Sequence, residues 1–134
     1  RVGVGVLVLK DNKVLLRRRK GSHGEGEYEG AGGGHLEYME SFEDCAKREI
    51  LEEINIEIKN IRFLCVSNIK KYTPKHYVDI GLVAEWAGGN PKIMESDKCD
   101  KIGWYNIDDL PEPLAEWEKN YIKAYKSGKN YFDL

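Results

Sequence analysis

The chain has 134 residues, of which 41% are hydrophobic and 33% charged, and its formal net charge is −2. These values predict one globular domain over residues 1–134, large enough to bury a core without disulfides or a structural metal. A charge this close to zero gives no electrostatic footprint for a nucleic acid polymer or a membrane surface, and no apolar run approaches the ~20 residues of a membrane span.

The cysteines are odd in number, widely spaced and outside any CxxC or Cys/His cluster: Cys45, Cys65 and Cys99. This spacing indicates neither a disulfide framework nor a zinc site. Free thiols suit a reducing compartment, so we expect a cytoplasmic protein.

The chain opens with a predicted β-hairpin. Alternating valines predict a strand over residues 2–9, a turn follows at residues 11–12, and residues 13–19 form the second strand. That strand ends in a basic run. The run is either a solvated strand end or a phosphate-binding group in which Arg18 and Arg19 take part, because guanidinium groups pair bidentately with phosphate oxygens.

Residues 20–34 contain seven glycines. The segment is typical of a flexible loop, or of a loop that binds phosphate through backbone N–H groups. It lacks the Gly-Lys-Ser/Thr ending of a P-loop. We expect it to let the backbone approach a metal closely, just before the first helix.

That helix is predicted over residues 42–53, with Ser41 as its N-cap. Glu49, Glu52 and Glu53 stand at i, i+3 and i+4 and therefore share one helix face. Glutamates at this spacing usually face solvent. Here Phe42, Ala46, Ile50 and Ile54 form an apolar stripe in the same register, so we expect the acidic face to turn toward the core.

Carboxylates turned toward a sheet repel one another and lose hydration, which costs roughly several kcal/mol unless a cation compensates. Arg48 supplies one positive charge nearby and can pair with Glu52 at i+4 or Asp44 at i−4. Carboxylate oxygens suit hard divalent cations. The sequence therefore predicts a Mg²⁺ site on this helix, with Mn²⁺ as the alternative.

The remainder of the chain reads as further strands and a second helix. β-forming residues predict one or two short strands over residues 56–68, a long strand over 76–86 and another over 102–105. A helix ending at Gly128 carries one apolar face, and we assign its Trp117 and Tyr121 to packing. This order of elements predicts an α/β layered domain.

Residues 34–56 resemble the signature of the Nudix hydrolases, which runs Gly, five residues, Glu, seven residues, Arg-Glu, an apolar residue, any residue, Glu-Glu, any residue, usually Gly, and an apolar residue. The fixed matches are Gly34, Glu40, Arg48, Glu49, Glu52 and Glu53. Six such matches have odds on the order of 10⁻⁷ to 10⁻⁸ per start position at ordinary residue frequencies. Asn55 stands where the family usually has Gly, at a left-handed cap that Asn tolerates best after Gly.

The resemblance implies the Nudix fold, a mixed β-sheet sandwiched between α-helices. It also implies metal-dependent hydrolysis of a nucleoside diphosphate linked to another group. Softer similarities to the MutT-like subgroup favour a nucleoside triphosphate, cut to the monophosphate and pyrophosphate. The alternatives are ADP-ribose or another nucleotide-linked diphosphate, and a catalytically silent Nudix module that binds a nucleotide or a protein. A homodimer is one alternative for the oligomeric state.

The resemblance also assigns roles to residues. The metal ligands are the Gly33 carbonyl, Glu49, Glu52 and Glu53, while Arg48 orients a carboxylate and Glu40 supports the loop and helix. Two features depart from the family pattern: Gly32 replaces the usual Pro of a Pro-Gly-Gly sequence, and Tyr28 lies one residue further from the signature than the usual aromatic.

The general base stays open at this point. Glu49 is the first candidate, and Glu95 and Asp97, in the segment before the last long strand, are alternatives as base or additional ligand. The candidates for binding the substrate's base are Tyr28, His35, Tyr77 and Trp104. Buried aromatic residues in strands belong to the core more often than to a ligand platform.

Overall fold

The computed structural model describes residues 1–21, 24–71 and 74–134. Ser22 and His23, which belong to the predicted glycine-rich loop, lie outside these ranges. The described elements are β1 (Val2–Lys10), β2 (Lys13–Arg19), β3 (Tyr28–Gly30), β4 (Gly32–His35), α1 (Phe42–Ile54), β5 (Glu57–Ile69), β6 (Tyr77–Gly88), β7 (Cys99–Asn106), α2 (Glu116–Ser127) and β8 (Tyr131–Asp133).

The described strands form one mixed sheet in the order β3-β2-β1-β6-β5-β8, with β4 paired to β1 and β7 paired to β2. β1 runs parallel to β6 and antiparallel to β2 and β4. Parallel neighbours need a long crossover connection, and the chain between β1 and β6 contains α1. Strand β1 therefore lies at the centre of the sheet, next to the glycine strand β4.

Each face of the sheet carries one helix and one buried cluster. Ile50 and Ile54 of α1 pack with Val4 and Val6 of β1 on one face. Tyr121 and Ile122 of α2 pack with Leu7 of β1 on the other. The prediction of a mixed sheet sandwiched between helices is confirmed. Neither described helix has the length and apolar composition that crossing a lipid bilayer requires.

Local signals placed the hairpin and α1 correctly. The Ser41 side chain accepts a hydrogen bond from the Asp44 N–H at 3.0 Å, and Asn55 adopts the left-handed cap with φ 65°. The expectation that Phe42 joins the core-facing stripe is wrong, because its side chain is exposed. Phe42 follows the cap directly, and burial begins one turn later at Cys45 and Ala46.

The glycine-rich segment is not simply a loop, because it contributes the short strands β3 and β4. Pairing with β2 and β1 supplies their backbone hydrogen bonds despite the low β-propensity of glycine. The prediction of one or two short strands over residues 56–68 resolves into a single strand, β5. Its register shifts near Asn60, which has φ 51°. Strand β8 had no clear signal in the sequence.

Candidate active site

Two of the three predicted α1 glutamates reach the glycine strand. The side chains of Glu49 and Glu53 are 14% and 12% exposed, whereas that of Glu52 is 60% exposed. Glu53 Oε2 accepts a hydrogen bond from the Gly33 N–H at 3.1 Å. The Glu49 carboxylate lies so close to Gly34 that a Cβ there would be 2.6 Å from Oε2. The structure thus brings Glu49 and Glu53 together against β4 and leaves Glu52 at the surface.

Arg48 connects the helix to the loop before it. Its Nε and Nη2 donate to the two carboxylate oxygens of Glu40 at 2.8 and 3.0 Å, and Nη1 donates to Glu49 Oε1 at 2.7 Å. Its hydrogen bonds lower the pKa of Glu40 to about 2. Nη1 also lies 3.6 Å from Glu52 Oε2, as the i, i+4 spacing predicts. Arg48 therefore fixes the position of the Glu49 carboxylate.

The Glu53 carboxylate has too little positive charge around it. Burial, together with the nearby carboxylates of Glu49 and Glu95, raises its pKa to about 7, although Arg17 and the Gly33 N–H act in the opposite direction. The nearest guanidinium nitrogen, Arg17 Nη2, lies 3.8 Å from Glu53 Oε2. An added cation would relieve this excess of negative charge.

The backbone of β4 adds an oxygen donor to this acidic group. The Gly33 N–H points to Glu53, and a residue's C=O points to the same side of an antiparallel strand as its N–H. Two residues on, the His35 carbonyl has this orientation and accepts from Arg48 Nη2 at 3.4 Å. The Gly33 carbonyl is therefore directed toward α1.

Two carboxylates and one carbonyl form a hard-oxygen donor set whose chemistry fits a divalent cation. As the side chains stand, no three Asp, Glu, His or Cys side chains of the described ranges converge on one point. Nη1 of Arg48 lies 2.7 Å from Glu49 Oε1 and 3.6 Å from Glu52 Oε2, so one guanidinium nitrogen is near both carboxylates. Glu52 is exposed, so its side chain is free to rotate toward or away from this group.

A cavity of about 330 Å³ is also lined by the glycines of β4. It extends across β1 and β6 to α2. Its polar and aromatic lining includes Arg17, His35, Tyr77, Asp79, Trp117 and Tyr121. One strand thus contributes both to the acidic group of α1 and to a pocket large enough for a small ligand.

The structure sorts the basic run by strand alternation. Arg17 lines the cavity, and its Nε forms an ion pair with Glu29 Oε2 at 3.0 Å. Arg19 pairs with Glu29 at 3.0 Å, and its guanidinium lies 5.2 Å from the Trp117 ring centroid. Arg18 pairs with Asp100 at 2.8 Å. Neither Arg18 nor Arg19, the two candidates for phosphate binding, is part of the cavity lining. The arginine of this run that does line the cavity is Arg17, which the sequence analysis did not single out.

Two of the four aromatic candidates line the cavity. The rings of His35 and Tyr77 are nearly parallel, with centroids 6.3 Å apart and an interplanar angle of 15°. Tyr28 is buried beside Tyr105 with an edge-on contact at 5.6 Å. Trp104 packs against the α1-side cluster. Tyr28 and Trp104 therefore belong to the core rather than to the cavity.

The two alternative acids before β7 differ in position. The Met94 N–H donates to the Glu53 carbonyl at 3.0 Å, which holds this segment against the end of α1. Glu95 is near enough to raise the pKa of Glu53, and its Oε2 lies 3.0 Å from Lys98 Nζ. Asp97 is exposed.

Tyr121 packs in the buried cluster on the α2 side, as expected, and both Tyr121 and Trp117 also line the cavity. Tyr121 is buried, and its hydroxyl donates to Asp79 Oδ2 at 2.5 Å. Sequence reasoning also missed Glu118, which is 1% exposed. A signal existed, since Glu118 lies on the apolar face of α2, three residues before Tyr121.

Comparisons with known proteins give the family. The NUDIX domain model matches residues 1–125. The NAD-capped RNA hydrolase NudC of Pseudomonas syringae pv. tomato is 35% identical over 106 residues, which are 79% of this chain and 36% of that protein. The chain thus spans about a third of the length of the curated relatives it matches, 36% in this case.

Solved structures agree. A MutT NUDIX hydrolase from Burkholderia pseudomallei has a TM-score of 0.82 and 32% identity, covering 92% of this chain and 96% of that chain. The NUDIX domain of Shewanella oneidensis NrtR, crystallised with ADP ribose, shares the fold with a TM-score of 0.75 at 21% identity, covering 95% and 86% of the two chains. With the signature of α1 in place against β4, the chain belongs to the Nudix hydrolase family.

Proposed function

We propose that the protein is a metal-dependent hydrolase of nucleoside diphosphates linked to another group, and that its substrates are nucleoside triphosphates, cut to the monophosphate and pyrophosphate. The observation that carries the proposal is the meeting of Glu49 and Glu53 with the backbone of β4, next to a cavity that Arg17 also lines. The likeness to a MutT NUDIX hydrolase over 92% of the chain supports the triphosphate class.

Nudix hydrolases generally need a divalent metal, and the donor set here suits Mg²⁺ or Mn²⁺. Glu49, Glu52, Glu53 and the Gly33 carbonyl are the residues that would hold it. Bound there, the ion would neutralise phosphate oxygens and lower the pKa of a coordinated water.

We assign the general base, the phosphate contact and the surface for the nucleotide's base to side chains of the described residues. Arg48 keeps Glu49 oriented through its 2.7 Å hydrogen bond, so Glu49 is our first candidate for the general base, with Glu95 as the alternative. Arg17 lies between Glu53 and the cavity and can pair with a phosphate oxygen. His35 and Tyr77 offer ring faces for a base.

A second candidate function follows from the relatives. The Pseudomonas protein is named as an NAD-capped RNA hydrolase, and it is 35% identical to this chain over 106 residues. A dinucleotide such as NAD, or ADP-ribose, carries the same nucleoside diphosphate unit and is the alternative substrate class. A silent Nudix module that binds a nucleotide without cutting it is the alternative outside catalysis.

One panel separates these possibilities. Nucleoside triphosphates, NAD, ADP-ribose and diadenosine polyphosphates are incubated with the protein and Mg²⁺, then with EDTA, and the products are identified by chromatography. We expect monophosphate and pyrophosphate from triphosphates, and no turnover in EDTA. Glu52→Gln and Glu53→Gln should each lower kcat/KM by roughly 100-fold or more, since charge stabilisation by a metal is lost.

The matched control is Glu43→Gln, an exposed glutamate in the first turn of the same helix, which should keep wild-type activity. Undiminished turnover in EDTA and in both variants would overturn the metal assignment. Nucleotide binding without hydrolysis of any compound would identify the silent module. Hydrolysis of NAD or ADP-ribose alone would favour the second candidate.

The cysteines of the described chain are free and buried, which suits a reducing compartment, and we propose the cytoplasm. We also propose that residues 1–134 act as one Nudix domain. Light scattering distinguishes a monomer from the homodimer alternative.

A further inference from the structure

Arg17 lies between two carboxylates and forms a hydrogen bond with only one of them. Its Nε donates to Glu29 Oε2 at 3.0 Å, whereas its Nη2 lies 3.8 Å from Glu53 Oε2, beyond hydrogen-bonding distance. All three side chains are nearly buried, with exposed fractions of 11% for Arg17, 11% for Glu29 and 12% for Glu53. A charged hydrogen bond is strong in such a site, so Arg17 would close on Glu53 unless another group held it back.

Glu29 is the group in a position to hold it, because Glu29 is itself fixed by a second arginine. Its other oxygen, Oε1, accepts a hydrogen bond from Arg19 Nη1 at 3.0 Å, and the Arg19 guanidinium lies 5.2 Å from the ring centroid of Trp117 on α2. The backbones of Glu29 and Arg17 lie opposite each other where β3 pairs with β2. The Glu29 carboxylate therefore cannot follow Arg17 toward α1 without giving up Arg19.

We propose that Glu29 is a positioning residue that holds Arg17 away from Glu53 and so keeps the Glu53 carboxylate available to a divalent cation. The inference rests on the proposed function, which assigns a cation to Glu53. Glu29 stands where the family pattern has its aromatic residue, since Tyr28 lies one residue further from the signature. An aromatic ring at this position would leave Arg17 to pair with Glu53.

The physical basis is competition between two cations for one carboxylate. Glu53 Oε2 already accepts a hydrogen bond from the Gly33 N–H at 3.1 Å, so a guanidinium that closed on it would occupy much of its remaining acceptor capacity. A metal ion would then have to displace a charged hydrogen bond, which changes an equilibrium constant by on the order of 10- to 100-fold. We therefore expect the loss of the contact between Glu29 and Arg17 to weaken divalent metal binding by about 10-fold.

The test is Mn²⁺ binding to the protein without nucleotide, followed by the electron paramagnetic resonance signal of free Mn²⁺, on variants whose folding is checked by thermal melting. Glu29→Asp keeps the negative charge, but its shorter side chain cannot hold both arginines at 3.0 Å. It should raise the Kd for Mn²⁺ by about 10-fold. Arg17→Met should not raise the Kd. In that background Glu29→Asp should have no further effect, because there is no guanidinium to release.

Asp100→Asn is the matched control, because it removes the carboxylate partner of the neighbouring arginine on β2. Arg18 pairs with Asp100 at 2.8 Å and is not part of the cavity lining, so the Kd for Mn²⁺ should stay unchanged. Glu29→Gln serves as a second variant if Glu29→Asp folds poorly, since its amide has one acceptor oxygen in place of two. Its rise in Kd should be at least about 5-fold larger in the wild-type background than in Arg17→Met.

Two results would overturn the inference: an unchanged Kd in folded Glu29→Asp, or the same rise in Kd in the Arg17→Met background, which would mean that Glu29 acts without Arg17. The two proposals also fail separately. A wild-type protein that binds Mn²⁺ and hydrolyses triphosphates, with the same Kd in Glu29→Asp, refutes the positioning role alone. The expected rise in Kd in a protein that cuts no triphosphate refutes the proposed substrate alone, and a wild-type protein that binds no Mn²⁺ refutes both.

Discussion

Gly34→Ala tests whether the contact between β4 and the Glu49 carboxylate is needed for activity. In the structure, a Cβ on Gly34 would lie 2.5 and 2.6 Å from the two carboxylate oxygens, inside the 3.4 Å at which ordinary contact begins. The carboxylate carbon, Cδ, would lie nearer still, at 2.3 Å, so the carboxylate has to move by about 1.1 Å, away from the strand. Arg48, which bonds to the same carboxylate at 2.7 Å, would be displaced with it or lose its hydrogen bond.

A misplacement of about 1 Å at a reacting group can cost on the order of 100-fold in rate, so we expect kcat/KM to fall by roughly 10- to 100-fold. Stability should change far less. Glu49 yields at the end of a flexible side chain, and alanine restricts the unfolded chain more than glycine does. The free energy of unfolding should therefore stay within about 1 kcal/mol of wild type.

The assay is steady-state hydrolysis of the preferred triphosphate in saturating Mg²⁺, with urea unfolding of the same preparations. The control is Gly103→Ala on β7, where the nearest atom to an added Cβ is 3.6 Å away and the cavity is not involved. It should retain wild-type kcat/KM. If folded Gly34→Ala also retained it, the position of Glu49 against β4 would have no part in catalysis.

Three further predictions concern single side chains. Burial raises the pKa of Glu118 from 4.5 to about 8, so the wild-type protein should lose stability as the pH rises through this range, because the carboxyl ionises more readily in the unfolded chain. The rise in pKa corresponds to roughly 5 kcal/mol, and Glu118→Gln should remove this pH dependence. If the free energies of unfolding of the two proteins changed in parallel from pH 4 to pH 9, the prediction would be refuted. Asn55→Val should cost about 1–2 kcal/mol in urea unfolding and Asn55→Gly almost nothing, since φ is 65°; equal stabilities would contradict the strained cap. Arg48→Lys should lower kcat/KM by about 10-fold or more, because lysine has one nitrogen and cannot replace the two guanidinium nitrogens on Glu40 and the third on Glu49. Wild-type kinetics in this variant would show that the three hydrogen bonds are not needed for activity.

Features set by neighbours in the chain were predictable. The Ser41 cap and the left-handed Asn55 depend on residues within one turn of the helix, and both have the expected geometry. Glu49 and Glu53 could be placed together because helical periodicity fixes their common face. The exposure of Glu52 depends instead on how α1 sits against β4, a tertiary relation that helical periodicity does not contain.

The cavity could not be predicted for the same reason. Alternation separates Arg17 from Arg18, but it does not show which neighbouring elements each side chain meets, and the register of β2 shifts between Arg18 and Arg19. Placing Arg17 beside Glu29 and Glu53 requires the pairing of β2 with β3 and the position of α1. Glu118 is a different case, because a carboxyl on an apolar helix face is visible in the sequence, although our sequence analysis did not single it out.

The glycines of β4 show how one composition fits two physical explanations. A flexible loop and a strand without room for side chains both favour glycine, and the sequence alone does not separate them. The structure supports the second explanation, because an added Cβ at Gly32 would meet the Glu53 carboxylate, and at Gly33 it would lie 2.9 Å from the Gly5 Cα. Close approach of the helix carboxylates and of β1, rather than mobility, is therefore the reason for glycine here. A strand of this kind brings backbone N–H and C=O groups within hydrogen-bonding distance of the acids, as the Gly33 N–H and Glu53 already show at 3.1 Å.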